Sequence, residues 1–408
     1  MQIKAIVTIS LISVCLLGAS CTATRDFDNH LRLIVKPHRF SIVNWESKTL
    51  LNEIRELISN KDGKTEDDLD LVTEYYLLVE RIKTLKSQTD AINTANGQGD
   101  LALLEAELNE LEEQKATLAD TVERIIGRQI TEILAQEGIY NPIYEYIKLE
   151  VSFPPLNFKL EKPPHLLVIA PRDRIESIRE ILLKQDASLE EKEAIEAKVD
   201  KLGVSSLVVP LGGLGVYPSF IADDTSLRLT IDAATEEWLH QYLVFKPLGF
   251  LYLLDITGVS RNYEIATMNE TLASMVSKEI GSTIYEQYYA QYENGDRNQV
   301  AEPEFDFNEE MRDIRRAVDE YLAQGEVEQA EEFMEQKRQY LASKGYYIRK
   351  LNQAYFAFYG TYADSPTSIS PIGLELKELR SQIASLKDFL NIVAAMTNRQ
   401  DLSEVLNK

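Results

Sequence analysis

Thiols and imidazoles are nearly missing from this sequence: its 408 residues include two cysteines and four histidines. Cys15 and Cys21 both precede residue 22, so nothing beyond them can form a disulfide or a thiolate metal site. His30, His38, His165 and His240 are widely separated, which argues against any site needing several imidazoles. Positive charge is also short. Lys and Arg number 43 against 66 Asp and Glu, a net charge of −23, and no basic tract interrupts that field. Such a chain repels phosphate backbones, so no nucleic-acid partner is expected. No P-loop or dinucleotide fingerprint is present, and no serine has a histidine at a recognisable catalytic spacing. What remains is a globular composition, 44% hydrophobic and 27% charged, long enough for more than one average domain.

One apolar run stands out. Lys4 is followed by Ala5 to Leu17 and then Gly18-Ala19-Ser20-Cys21. A single positive charge, a short apolar stretch and a small-residue exit predict a secretory signal peptide. The run is shorter than the roughly 20 residues that a spanning helix needs. Leu17 to Cys21 resembles a bacterial lipobox, which implies lipidation of Cys21 and a membrane-anchored lipoprotein of the cell envelope. Gly18 stands where that pattern usually has leucine, so ordinary cleavage and a secreted soluble protein are the alternative, with an uncleaved anchor as a third.

The body divides by hydrophobic period. Residues 22–65 read as a strand-like opening and one helix through Trp45, Leu50, Leu51, Ile54, Leu57 and Ile58. Residues 66–148 read as an antiparallel coiled-coil hairpin: Leu71, Tyr75, Leu78, Ile82 and Leu85 step by four and three, and Leu104, Leu108, Leu111, Leu118, Val122 and Ile125 follow after a Gly-rich break. Lys115 occupies the one missed position. The hairpin reads as a stalk or lid support, or else a partner-binding arm. Residues 149–300 are mixed: alternating strands at 151–153 and 156–160, a buried strand at 166–170, a helix opened by the capping box Ser188-Leu189-Glu190-Glu191, and a glycine-interrupted strand from Ser206 to Pro218. Residues 301–408 are helical again, with helices from near Asn308, from Val327 to Ser343, from Tyr346 to Tyr362, and one from Pro371 carrying Leu376 through Val393. The fold class expected is α-rich α+β.

The chemistry concentrates between 230 and 285. On a helix through Ile231–Leu243, Glu236 and His240 share one face and can grip one ion. Glu237, offset by about 100°, can reach a water on that ion. On the next helix, Met268-Asn269-Glu270-Thr271-Leu272-Ala273, Glu270 projects and Ala273 permits close packing. The pair resembles the zincin metallopeptidases, in their Glu-zincin (thermolysin-like) branch, and extends to bacterial envelope aminopeptidases. That family carries His-Glu-x-x-His on one helix and Asn-Glu-x-x-Ala on the next. The resemblance implies a zincin-like core and metal-dependent hydrolysis of a peptide or protein substrate. His240 and Glu270 become ligands, Glu237 the general base, and Asn269 a residue that orients the local turn. Pro210 to Tyr217 becomes the edge strand that receives a peptide, and Tyr355, Tyr359 or Tyr362 a phenol near the oxyanion.

One position departs from the pattern. Glu236 stands where the family has its first histidine. A Glu-Glu-His set can bind zinc, but oxygen ligands tilt selectivity toward manganese or iron. Without a cation, Glu236, Glu237 and Glu270 crowd three carboxylates together, driving at least one neutral. The alternative is therefore an inactive zincin-like envelope lipoprotein that binds peptides or wall components. Of the other polar groups, Arg172 and Arg174 can bind a substrate carboxylate or form internal salt bridges. His165 reads as structural, and His30 and His38 as surface groups. The aromatic stretch at 355–362 packs the core or lines a cleft.

Overall fold

A computed structural model describes residues 25–41, 68–95, 101–290, 305–362 and 365–407. Cys15, Cys21 and the helix expected through Trp45–Ile58 lie outside the described residues. Thirteen helices of seven or more residues, among the described residues, and two three-stranded sheets make up the fold. No helix among the described residues is long and apolar enough to cross a membrane.

Helix α1 (Arg25–Val35) replaces the strand-like opening. Leu31 and Val35 face inward at a spacing of four, which fits a helix and not a strand. Helices α2 (Asp68–Ala95) and α3 (Leu101–Gln136) form the long hairpin. Arg128 pairs with Asp68 at one end and Arg81 with Glu107 toward the other, so the two run antiparallel. The buried residues of α2 are Val72, Tyr75, Tyr76, Val79, Ile82 and Leu85, a wider stripe than the expected heptad seam. This end packs into the body as well as onto α3. Lys115, the missed hydrophobic position, reaches Asp223 Oδ2 at 2.5 Å and ties the hairpin to the loop before the site helix.

Strands β1 (Phe158–Leu160), β6 (Ser219–Ile221) and β5 (Gly213–Leu214) form one sheet in the order β1-β6-β5. Strands β3 (Arg179–Leu183), β2 (His165–Pro171) and β4 (Val204–Pro210) form the other, antiparallel throughout. Residues 151–153 are not a strand. In β2 and β4, Leu167, Ile169 and Val208 face helices α1 and α4 (Leu189–Asp200). Val168, Ala170, Leu207 and Val209 face the other side, against a short aromatic helix at 353–359. Burial on both faces explains the unbroken apolar run. Helix α4 starts with the expected capping box, Ser188 and Glu191 bonding each other's backbone.

The main core is helical. Into it pack α5 (Leu227–Leu243), α6 (Pro247–Ile256), α7 (Tyr263–Ile284), the inner half of the hairpin and α11 to α13 near the C-terminus. Between them lie α8 (Phe307–Ala323), α9 (Val327–Ser343) and α10 (Gln353–Tyr359). The aromatic helix is thus seven residues long and not seventeen, because Asn352 caps it by accepting from Tyr355 N at 2.9 Å. The single helix expected from Pro371 is two, α11 (Ile372–Gln382) and α12 (Leu386–Ala394), with α13 (Arg399–Leu406) after them. Ser385 caps α12 while Arg380 holds the Ile383 carbonyl in the break.

Where β1 meets the hairpin, Glu123 is buried, accepting from Leu160 N at 2.7 Å and Lys159 Nζ at 3.0 Å. Burial outweighs these bonds and pushes its carboxyl up to about 7. A carboxyl raised in the folded state binds its proton more tightly than in the unfolded chain. Its contribution is therefore full below about pH 4.5 and is lost as pH rises toward 7. Glu123→Gln keeps an acceptor for Leu160 N and removes the titration. Between pH 5 and pH 8, wild type is expected to lose up to about 3 kcal/mol relative to the variant in urea melts. Parallel pH profiles for the two proteins would refute this.

Candidate metal centre

Helix α5 is oriented by its apolar residues. Ile231, Ala234, Trp238, Leu239, Tyr242 and Leu243 are all buried in the core, and Trp238 Nε1 donates to Pro154 O at 2.8 Å. That spacing leaves Glu236, Glu237 and His240 on the partly exposed side. Helix α7 packs across α5 so closely that a Cβ on Gly281 would stand 1.9 Å from Asp232 Oδ1. Ala273, expected to allow this approach, is fully buried, but Gly281 is the position that requires it.

The crossing brings Glu236, His240 and Glu270 together, each offering a ligand atom within 4.8 Å of the other two. His240 Nε2 lies 3.7 Å from Glu270 Oε2. Ligands of one zinc sit roughly 3.3 Å apart for bonds near 2.0–2.1 Å at tetrahedral angles, so the set is slightly open. Two neighbours fix the orientation. Asn269, fully buried, places Oδ1 3.0 Å from His240 Nδ1. Nδ1–H then donates to that oxygen, and the Nε2 lone pair faces Glu270. Asn269 therefore orients the histidine and not a turn, since it lies inside α7. Tyr252, on α6, donates its hydroxyl to Glu270 Oε1 and stacks on His240 with ring centroids 5.7 Å apart. Among the described residues, Glu270 Oε2 is left buried with no hydrogen-bond partner. An orphaned carboxylate oxygen facing an imidazole nitrogen lone pair fits a cation between them.

Glu237 sits beside this set under the glycine-interrupted strand. A Cβ on Gly213 would stand 2.3 Å from Glu237 Oε1, and one on Gly215 3.0 Å from Oε2. The glycines let the backbone of β5 lie directly on the carboxyl group. β5 pairs on one side with β6 and lies at the edge of its sheet; the single strand expected from Ser206 to Pro218 is two, because β4 ends at Pro210 in the other sheet and only Gly213–Leu214 pair here. Gln241 anchors the following segment through Val216 O at 2.7 Å and Ser219 Oγ at 2.9 Å. Burial, then the charges of Glu236 and Glu270, push the Glu237 carboxyl well above the usual range.

Of the three candidate tyrosines, Tyr362 comes to this centre. The charge of Glu270, then burial, then the charges of Glu236 and Glu237 push its hydroxyl well above the usual range. Tyr355 and Tyr359 pack on each other with tilted rings, centroids 4.6 Å apart, against sheet residues. Arg172 is held by both oxygens of Glu331, at 2.8 and 2.7 Å, and Arg174 by Glu176 and Asp173. Both are internal ion pairs and neither joins the centre. His165 is buried with Nδ1 3.1 Å from Lys184 O, His30 is exposed and His38 half-buried. Tyr252 was missed from the sequence because nothing in Phe250-Leu251-Tyr252-Leu253 marks one residue of an apolar helix as polar-facing. No family model, curated protein or solved structure matches this chain.

Proposed function

We propose that the chain is a metal-dependent hydrolase of peptides, of zincin type, acting at the cell envelope from a lipid anchor at Cys21. The observation that carries the reading is the convergence of Glu236, His240 and Glu270 on one point, with Glu237 beside it under a glycine edge strand. Glu236, His240 and Glu270 would hold a divalent cation, zinc or, given two carboxylates, manganese or iron. When bound, the ion supplies Lewis acidity and a more acidic water. Glu237 receives a proton and returns it to the leaving amine, the task of a carboxyl held beside the ion's water. Tyr252 holds Glu270 by one oxygen, Asn269 holds His240 in the tautomer that presents Nε2, and β5 offers an edge for an extended chain.

Metal content decides between this and a binding protein without catalysis. Purified protein repleted with zinc, manganese or iron is expected to retain one equivalent after dialysis. Glu236→His is expected to raise zinc affinity by about tenfold, since imidazole is the better zinc ligand. Less than stoichiometric metal, and no change in the variant, would end the metal-site assignment.

A further inference from the structure

Helix α7 carries two side chains with different jobs on one face. Tyr263 and Glu270 are seven residues apart, two helical turns, so they project in the same direction about 10.5 Å apart along the axis. Glu270 belongs to the candidate metal centre. The Tyr263 hydroxyl instead donates to the carbonyl of Gly360 at 2.7 Å. Gly360 ends α10 and stands two residues before Tyr362. The turn has little room to move: a Cβ on Gly360 would meet Phe356 O at 2.5 Å, Arg315 Nη1 at 3.1 Å and the Tyr263 hydroxyl at 3.4 Å. On its far side Gly360 N donates to Phe356 O at 2.9 Å and Thr361 Oγ1 to Phe358 O at 2.7 Å. Tyr263 thus ties α7 to this turn by a side-chain hydrogen bond.

We propose that Tyr263 is a positioning residue: by holding the Gly360 carbonyl, it fixes the turn that carries Tyr362 to α7, and so sets where that phenol stands relative to the helix that carries Glu270. Helix α7 acts as a ruler. One end of it grips the turn that carries the phenol, and two turns further on the same face carries Glu270. The purpose of the device rests on the metal-centre reading above, but its geometry does not.

The test uses the full chain labelled with 3-fluorotyrosine and observed by fluorine NMR, the Tyr362 resonance being the one lost in Tyr362→Phe. Tyr263→Phe removes the hydroxyl and keeps the ring. It is expected to shift or broaden the Tyr362 resonance in metal-free protein. Zinc chloride alone is expected to shift that resonance in wild type, and by less than half as much in Tyr263→Phe. Zinc affinity should stay within about threefold, because all three ligands are intact. Gly360→Ala displaces the same turn by a different route and should move the same resonance. A purely structural role for Tyr263 lowers the melting temperature and leaves the Tyr362 resonance of the folded protein in place; that result overturns the proposal. If wild type binds no zinc, the metal-centre reading fails, while the metal-free comparison still decides the positioning role.

Discussion

Glu237→Gln is expected to abolish peptide hydrolysis, lowering turnover by about a thousandfold or more, while leaving metal content unchanged. General-base assistance contributes roughly 10²–10⁴ in rate, and an amide of the same shape cannot accept the proton. The substitution suits the site because Glu237 has a second role. Its carboxyl supports the backbone at Gly213 in β5 and at Gly215 just after it, so alanine would remove the base and the strand's support together. Glutamine keeps the volume. It also removes one of the carboxylates in a crowded group, so metal binding should be undiminished. Turnover of a mixed-peptide substrate, measured beside metal content by elemental analysis, separates the two effects. Equal turnover in wild type and variant would remove Glu237 from the mechanism. Loss of metal together with activity would make it a ligand.

The largest stability effect is expected at Gly249. A Cβ there would lie 2.1 Å from the carbonyl oxygen of Leu243 and 2.2 Å from its carbon. Both atoms are backbone at the end of α5, so no side chain can swing aside, and Leu243 and Leu248 on either side are fully buried. Relief requires α6 to move bodily. Overpacking of this kind costs typically 1–3 kcal/mol and occasionally more, and Gly249→Ala is placed at about 3 kcal/mol. Tyr252 lies three residues further along α6, so the displacement should also pull its hydroxyl from Glu270 and weaken metal binding. Gly212→Ala serves as the control, with nothing among the described residues within 4 Å of the added carbon and a change within about 0.5 kcal/mol expected. Urea midpoints for the two variants give the comparison. A Gly249→Ala protein as stable as the control would mean that α5 and α6 approach less closely than described.

Much of the secondary structure was legible from side-chain period and capping chemistry alone. Ser188 with Glu191, Gly345 after Val327–Ser343, and the apolar stripe of α5 each act within a few residues of chain, and those interactions survive in the fold. The errors fell where local pattern competes with distant contacts. The stretch from Leu376 to Val393 keeps helical spacing throughout, yet Ser385 caps a new helix and Arg380, paired with Glu279 on α7, takes the Ile383 carbonyl. Tyr346 to Leu351 reads as helix, but Arg349 and Lys350 are drawn to Glu196 and Asp200 on α4.

The candidate centre divides the same way. The sequence by itself determined which residues have ligand chemistry and which of them share a helix face, because Glu236, Glu237 and His240 lie within five positions and a helix relates them by fixed angles. It also limited the centre to one histidine and no thiol. The motif on the next helix named Glu270 as well, but tertiary structure alone decided that Tyr362 and not Tyr355 or Tyr359 comes to the centre, that Tyr252 holds Glu270, and that Asn269 turns His240 and not a loop. The groups gathered at the centre come from α5, α6, α7 and the turn after α10, spread over more than a hundred positions of sequence. Their meeting depends on glycines at 213, 249, 281 and 360 that let backbones approach. A missing side chain has no period to read; its consequence exists only where another element fills the space.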